Sequence, residues 1–119
     1  MQESVIVFGA GRFGTSLATT LFDHGVEVMV VDHDYDLIQG LATKVTTAIQ
    51  CDLTDAAAVN ELGISNFDIA VIAIGSNLEA SIMATLSSKD RGVPRIIAKA
   101  SSEMQARILQ KLGADQIIY

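Results

Sequence analysis

Apolar, β-branched runs alternate along this chain with stretches in which apolar residues recur every three or four positions. The runs cover residues 4–8 (SVIVF), 27–31 (EVMVV), 46–49 (TTAI), 68–74 (DIAVIAI), 95–99 (RIIAK) and 116–119 (QIIY). Most are apolar almost without interruption, the pattern of parallel strands covered on both faces. Between them, Phe13, Leu17 and Leu21 mark a first helix that stops at Gly25. A second spans about 35–43, with Leu37, Ile38 and Leu41 on one face. A third starts near Thr54 or Asp55, turns Val59 and Leu62 inward and stops at Gly63. A fourth runs from Asn77 to Asp90. The last opens with a capping box at Ser102 and Gln105, buries Met104, Ile108 and Leu112, and stops at Gly113.

This strict βαβ alternation with short connections predicts an α/β fold of Rossmann type. The expected sheet is doubly wound, parallel and six-stranded, in the order 3-2-1-4-5-6, with helices on both faces and right-handed crossovers. The 119 residues make one nucleotide-binding-sized domain, 1–119, and half of them are hydrophobic. The ending DQIIY reads as a strand cut off as it finishes, so the domain is expected to be a piece of a longer protein. A net charge of −6 disfavours nucleic acid and anionic membranes as partners. No apolar run reaches the roughly 18 residues of a membrane span, and the start lacks the basic leader of a signal peptide. The single cysteine, Cys51, allows no internal disulfide and suits a reducing compartment.

In such a sheet, ligands bind outside the carboxyl ends of the strands, where the strand order reverses. After the first strand comes GAGRFG, with Gly9, Gly11 and Gly14 in the spacing G-x-G-x-x-G. The glycines serve a tight turn, approach of a pyrophosphate, and close helix–strand packing, in that order. The helix that follows offers free N–H groups to phosphate. After the second strand stands Asp32, 18 residues beyond Gly14, close to the spacing at which a carboxylate meets ribose hydroxyls or else caps the next helix. A carboxylate there, with no arginine following, disfavours NADP; Asp34 is the better helix cap. Asp32, Asp34 and Asp36 do not form a calcium loop, since Leu37 and Thr43 occupy the glycine and glutamate positions. After the third strand, Asp52 either binds the adenosine end or caps a helix. Cys51 beside it reads as a small buried hydrophobe. Gly75 and Ser76 follow the fourth strand, and Lys99 closes the fifth, either bordering the cleft or simply solvated. The adjoining Ala10, Phe13, His33, Leu53, Ala73 and Ile74 complete the candidate set.

The sequence shows no Ser-His-Asp, HExxH, CxxC or GxxxxGK[ST] arrangement, and hydride transfer has no visible acid or base. A binding module is the simpler reading; the cofactor half of an NAD-dependent oxidoreductase is the alternative. The stretches VIVFGAGRFGTSLATTLFDHGVEVMVVDHD, IAVIAIGSNLEAS, IIAKA and LGADQIIY resemble the KTN or RCK nucleotide-binding domain of Trk- and Ktr-type potassium uptake regulators. The resemblance covers nearly the whole chain. It implies a non-enzymatic cytoplasmic regulator that binds NAD(H) or ATP/ADP. It further implies homodimers within larger rings, an octamer being one such ring, peripheral to the membrane through a potassium-conducting partner subunit. On that resemblance Gly9, Gly11 and Gly14 line the diphosphate, Asp32 the ribose and Asp52 the adenosine end, with Gly75 and Lys99 bordering the cleft. Arg12 reads the terminal phosphates: a cation at a helix N-terminus is disfavoured unless an anion compensates it.

Overall fold

A computed structural model describes residues 3–119. Six strands form one parallel sheet: β1 (Ser4–Phe8), β2 (Glu27–Asp32), β3 (Thr47–Gln50), β4 (Ile69–Ile72), β5 (Arg95–Lys99) and β6 (Gln116–Ile118). Their spatial order is β3-β2-β1-β4-β5-β6, as the alternation predicts. The helices are α1 (Arg12–Asp23), α2 (Tyr35–Leu41), α3 (Ala56–Asn60), α4 (Leu78–Asp90) and α5 (Glu103–Leu112).

Because both faces of the sheet are covered, alternate residues of one strand enter different cores. On β1, Ile6 and Phe8 join Val59, Ala84 and Leu109 on one side. Val5 and Val7 join Ala18, Ile38 and Leu41 on the other. Val5, Ile6, Val7 and Phe8 are each at most 3% exposed, which explains the unbroken apolar run after Ser4. The reversal of strand order falls between β1 and β4, whose registers pair Phe8 with Ile72.

Several boundaries and faces depart from the sequence pattern. β4 ends at Ile72 rather than at 74: the Ala73 N–H still donates to the Phe8 carbonyl at 2.8 Å, but β1 turns away at Gly9 and the register with β1 ends at Ile72. Ala73 and Ile74 are thereby released to the sheet edge. α2 ends at Leu41, and α3 ends at Asn60, followed by a 3-10 turn at Ile64–Asn66. α1 buries Gly14 and Ala18, with Leu17 and Leu21 packed alongside, whereas Phe13 stays 36% exposed.

The expected burial of Met104 is incorrect: it is 65% exposed, and α5 instead buries Gln105, Ala106 and Leu109. The small Ala106 allows close packing, and Gln105 is drawn inward by hydrogen bonds from Ser101. The capping box is correspondingly shifted. Ser102 Oγ accepts from the Gln105 N–H, but the Gln105 side chain reaches back to Ser101 rather than to Ser102. Leu37, placed inward by the helical period, is also on the outside of its helix, while Ile38 and Leu41 are buried.

Candidate functional site

A cavity of about 470 Å³ opens at the carboxyl edge over the β1–β4 switch point, a size ordinary for a small-molecule site. Its floor is the glycine turn. Gly9 takes φ +108°, and a Cβ on it would lie 2.7 Å from the Ala73 carbonyl oxygen. A Cβ on Gly14 would lie 1.9 Å from the Gly9 carbonyl oxygen, so only glycine lets α1 pack onto the turn. Gly11 is different: its φ is −74°, and a Cβ there would meet nothing within 4 Å. Neither conformation nor packing requires a glycine at that position, yet it lines the cavity.

Gly11 is also the N-cap of α1, with no side chain capping the helix and no acidic residue in its first turn. By contrast, α2 is capped by Asp34 and α3 by Asp55. The positive end of the helix dipole therefore faces the cavity mouth uncompensated.

Asp32 ends β2 beside this turn with both carboxylate oxygens in use. Oδ2 accepts from the Ala10 N–H at 2.7 Å, and Oδ1 from the Asp34 N–H at 2.8 Å. His33 Nδ1 lies 3.4 Å from Oδ1, on an exposed ring. Asp32 thus braces the glycine loop as well as facing the cavity, and it does not cap α2. Each carboxylate oxygen keeps a second lone pair for a ligand hydroxyl.

Asp52 forms a tight turn of its own: its Oδ1 accepts from the Thr54 N–H at 2.9 Å and from the Thr54 hydroxyl at 2.6 Å. The hydroxyl bond, then the N–H bond, hold its carboxyl below the ordinary carboxylate range, with the nearby His33 adding to the effect. The helix cap next to it is Asp55, so Asp52 stands free of that duty on the cavity wall. Cys51 is buried, and burial, followed by the charges of Asp52 and Asp55, pushes its thiol pKa up. This is an inert thiol, not a nucleophile.

Of the residues singled out in the sequence, Gly9, Gly11, Asp32, His33, Asp52, Leu53, Ala73, Ile74 and Gly75 come together around the cavity. Ala10 lies buried beneath it, and Gly14 is buried behind the turn. Arg12 is exposed on the first turn of α1, outside the lining. Lys99 also lies outside it, with its ammonium 5.8 Å from the centroid of the Phe13 ring, within cation–π range. The sequence reading missed Leu37, Thr54 and Ala80 as lining residues, read Asp34 only as a helix cap, and placed Asn77 only at the start of a helix. Leu37 carried a usable signal, being an apolar residue next to a cap at a strand's carboxyl end. The backbone turn at Thr54 carried none.

The family model of the TrkA-N domain matches residues 5–119. The chain is 40% identical over 119 residues to the Ktr system potassium uptake protein C of Bacillus subtilis, covering 100% of this chain and 54% of that protein. It is 43% identical over 117 residues to the Ktr system potassium uptake protein A of Vibrio alginolyticus, covering 98% and 53%. The chain thus spans about half the length of these relatives. Among solved structures, the TrkA-N domain of the inner membrane protein ybaL from Escherichia coli superposes with TM-score 0.85 at 16% identity, covering 99% of this chain and 87% of that one. The GsuK channel bound to NAD gives TM-score 0.80 at 18% identity, over 99% and 21% of the two chains. GsuK bound to ADP gives 0.78 at 18%, over 99% and 31%. These structures share the fold. With a family model across nearly its whole length and a 40% identical relative over all of it, the chain belongs to the TrkA-N domain family.

Proposed function

We propose that this domain is a nucleotide-sensing regulatory unit of a potassium uptake system. It binds an adenine nucleotide, NAD(H) or ATP/ADP, in the switch-point cavity and transmits the bound state to a membrane-embedded potassium-conducting subunit. The observation that carries the reading is Gly11. It is a glycine with no conformational or packing cause, on the wall of the cavity, at the uncapped N-terminus of α1. A diphosphate approaching the backbone supplies the cause. Around it, Asp32 is set for the ribose, Asp52 for the adenosine end, and Gly75 for the far side of the diphosphate. Arg12 and Lys99 stand at the phosphate end. The naming of NAD and ADP on two RCK-type neighbours, and of potassium uptake on the relatives, supports the same assignment.

The domain is read as a module of a longer regulator that assembles as homodimers within a ring and lies at the cytoplasmic face through its partner. No helix among the described residues is long and apolar enough to cross a membrane. The mechanism is a population shift: a nucleotide that engages Arg12 and Lys99 differently in its alternative forms favours one orientation of neighbouring domains. A coupling of about 1–3 kcal/mol per site, multiplied around a ring, is the energy scale required. A binding role is favoured over an enzymatic one because the carboxylates that line the cavity, Asp32, Asp34 and Asp52, are each engaged by backbone N–H groups of the surrounding turns and helix cap. Calorimetric titration with NADH, NAD, ATP and ADP tests the reading. If none binds more tightly than about 1 mM, it is refuted.

A further inference from the structure

The peptide groups of the turn Gly9–Gly11 are used unequally. The Gly9 N–H donates to the Val31 carbonyl at 2.7 Å, and the Ala10 N–H donates to Asp32. The Ala10 carbonyl accepts from the Thr15 hydroxyl at 2.9 Å. The Gly11 N–H takes part in none of the turn's hydrogen bonds, although Gly11 lines the cavity.

Thr15 differs from the hydroxyls of Thr19, Thr85 and Ser88. Those donate to the carbonyl four residues back within their own helices, at Thr15, Ser81 and Ala84. Thr15 reaches five residues back, past the start of α1 and into the turn. It also works in the opposite direction to the side chains at the other helix starts. Asp34, Asp55, Asn77 and Ser102 accept from the first N–H groups of their helices and so occupy those donors. Thr15 donates to a carbonyl and leaves the first N–H groups of α1 without a side-chain cap.

A trans peptide points its C=O and N–H in opposite directions, and the chain has no cis bond among the described residues. The Thr15 hydroxyl holds the Ala10–Gly11 peptide by its carbonyl, so the Gly11 N–H is directed away from Thr15. We propose, on the reading that the cavity binds a nucleotide, that Thr15 is a positioning residue: it sets this peptide so that the Gly11 N–H meets an anionic oxygen of the phosphate chain. Thr15 itself lies outside the cavity lining. With Asp32 on the Ala10 N–H and Thr15 on the Ala10 carbonyl, both peptides flanking Ala10 are braced before a ligand arrives. A turn ordered in advance loses less freedom on binding, and affinity gains accordingly.

The test uses the tightest binder of NADH, NAD, ATP and ADP, all of which carry the diphosphate. Its affinity is measured by calorimetry for wild type, Thr15→Val, Thr15→Ser and Thr19→Val, and the Gly11 amide proton is followed by NMR. Thr15→Val keeps the shape but loses the hydroxyl, and is expected to weaken binding about fivefold, the loss of one net hydrogen bond. Thr15→Ser keeps the hydroxyl and should stay within about twofold of wild type, as should Thr19→Val, which removes a hydroxyl one turn further along α1. Saturating nucleotide should move the Gly11 proton downfield in wild type and by less in Thr15→Val. The proposal is overturned if Thr15→Val binds like wild type, or if Thr15→Ser or Thr19→Val is weakened as much as Thr15→Val. A wild-type Gly11 proton that bound nucleotide does not move overturns it as well, whether or not Thr15→Val folds. A wild type that binds none of the four nucleotides instead overturns the nucleotide-site reading beneath it.

Discussion

Gly11 and Gly14 stand three residues apart, one at the N-cap of α1 and the other within its first turn, and the structure gives them opposite reasons for being glycine. A Cβ at Gly14 meets backbone at 1.9 Å from the Gly9 oxygen and 3.0 Å from its carbon, so the helix must move off the turn. Overpacking of this kind costs about 1–3 kcal/mol and more where backbone must shift, against which alanine's better helix propensity returns up to about 1 kcal/mol. Gly14→Ala is therefore expected to lose about 2 kcal/mol or more of stability. At Gly11 the added methyl enters open space in an ordinary conformation. Alanine is a poorer N-cap than glycine by up to about 1 kcal/mol, but it restricts the unfolded chain by a similar amount. Ligand-free Gly11→Ala should melt within a few degrees of wild type.

Nucleotide separates the two further. At a ligand concentration of about 100 Kd, binding adds about 2.7 kcal/mol to the stability of wild type. If the Gly11 methyl weakens affinity tenfold, the same concentration adds about 1.4 kcal/mol, so the ligand-induced rise in Tm is roughly halved. Thermal unfolding of wild type, Gly11→Ala and Gly14→Ala, each with and without the tightest-binding nucleotide, reads all of these quantities at once. The reasoning is refuted if Gly11→Ala shows the full ligand shift, or if Gly14→Ala melts like wild type.

Arg12→Ala should bring the affinities for ATP and ADP closer together, measured as the ratio of their dissociation constants; an unchanged ratio removes Arg12 from phosphate reading. Asp32→Asn should weaken nucleotide binding and also lower ligand-free stability by about 1–3 kcal/mol, because an amide cannot accept from both the Ala10 and the Asp34 N–H; loss of binding with an unchanged melt would mean the bracing role is wrong. The Asp52 carboxyl, held low by Thr54, contributes stability that is full above its unfolded-state pKa and is lost as pH falls through its lower folded-state pKa. Thr54→Val should move that carboxyl's NMR titration midpoint upward, and a midpoint that does not move would discard the hydroxyl bond as the main cause.

The strand bodies were legible because burial on both faces leaves a signal that single residues carry: Val5, Ile6, Val7 and Phe8 can only be apolar if each has a core to enter. The switch-point loop was legible for a similar reason, since Gly9 and Gly14 answer to a turn and a close approach that no other residue permits. Side-chain direction was not. Met104, Ile108 and Leu112 lie at a helical spacing that fits an inward face, yet the face beside it, through Gln105, Ala106 and Leu109, is the one that packs. A polar residue held by two bonds from Ser101 outcompeted a methionine for burial, and those bonds depend on where the β5–α5 loop places Ser101. The same limit applied at Asp32. Sequence spacing placed its carboxylate by a ribose or on a helix cap, but the Ala10 N–H reaches it only once β1 and β2 lie side by side, while the Asp34 N–H closes a local turn on its other oxygen. Under the proposed function, one residue thereby joins the geometry of the glycine turn to the ribose end of the cavity. On that proposal a ligand that draws on Asp32 also acts on the turn at Gly9–Gly11 through the Ala10 N–H, which is the coupling that sensing at this turn requires.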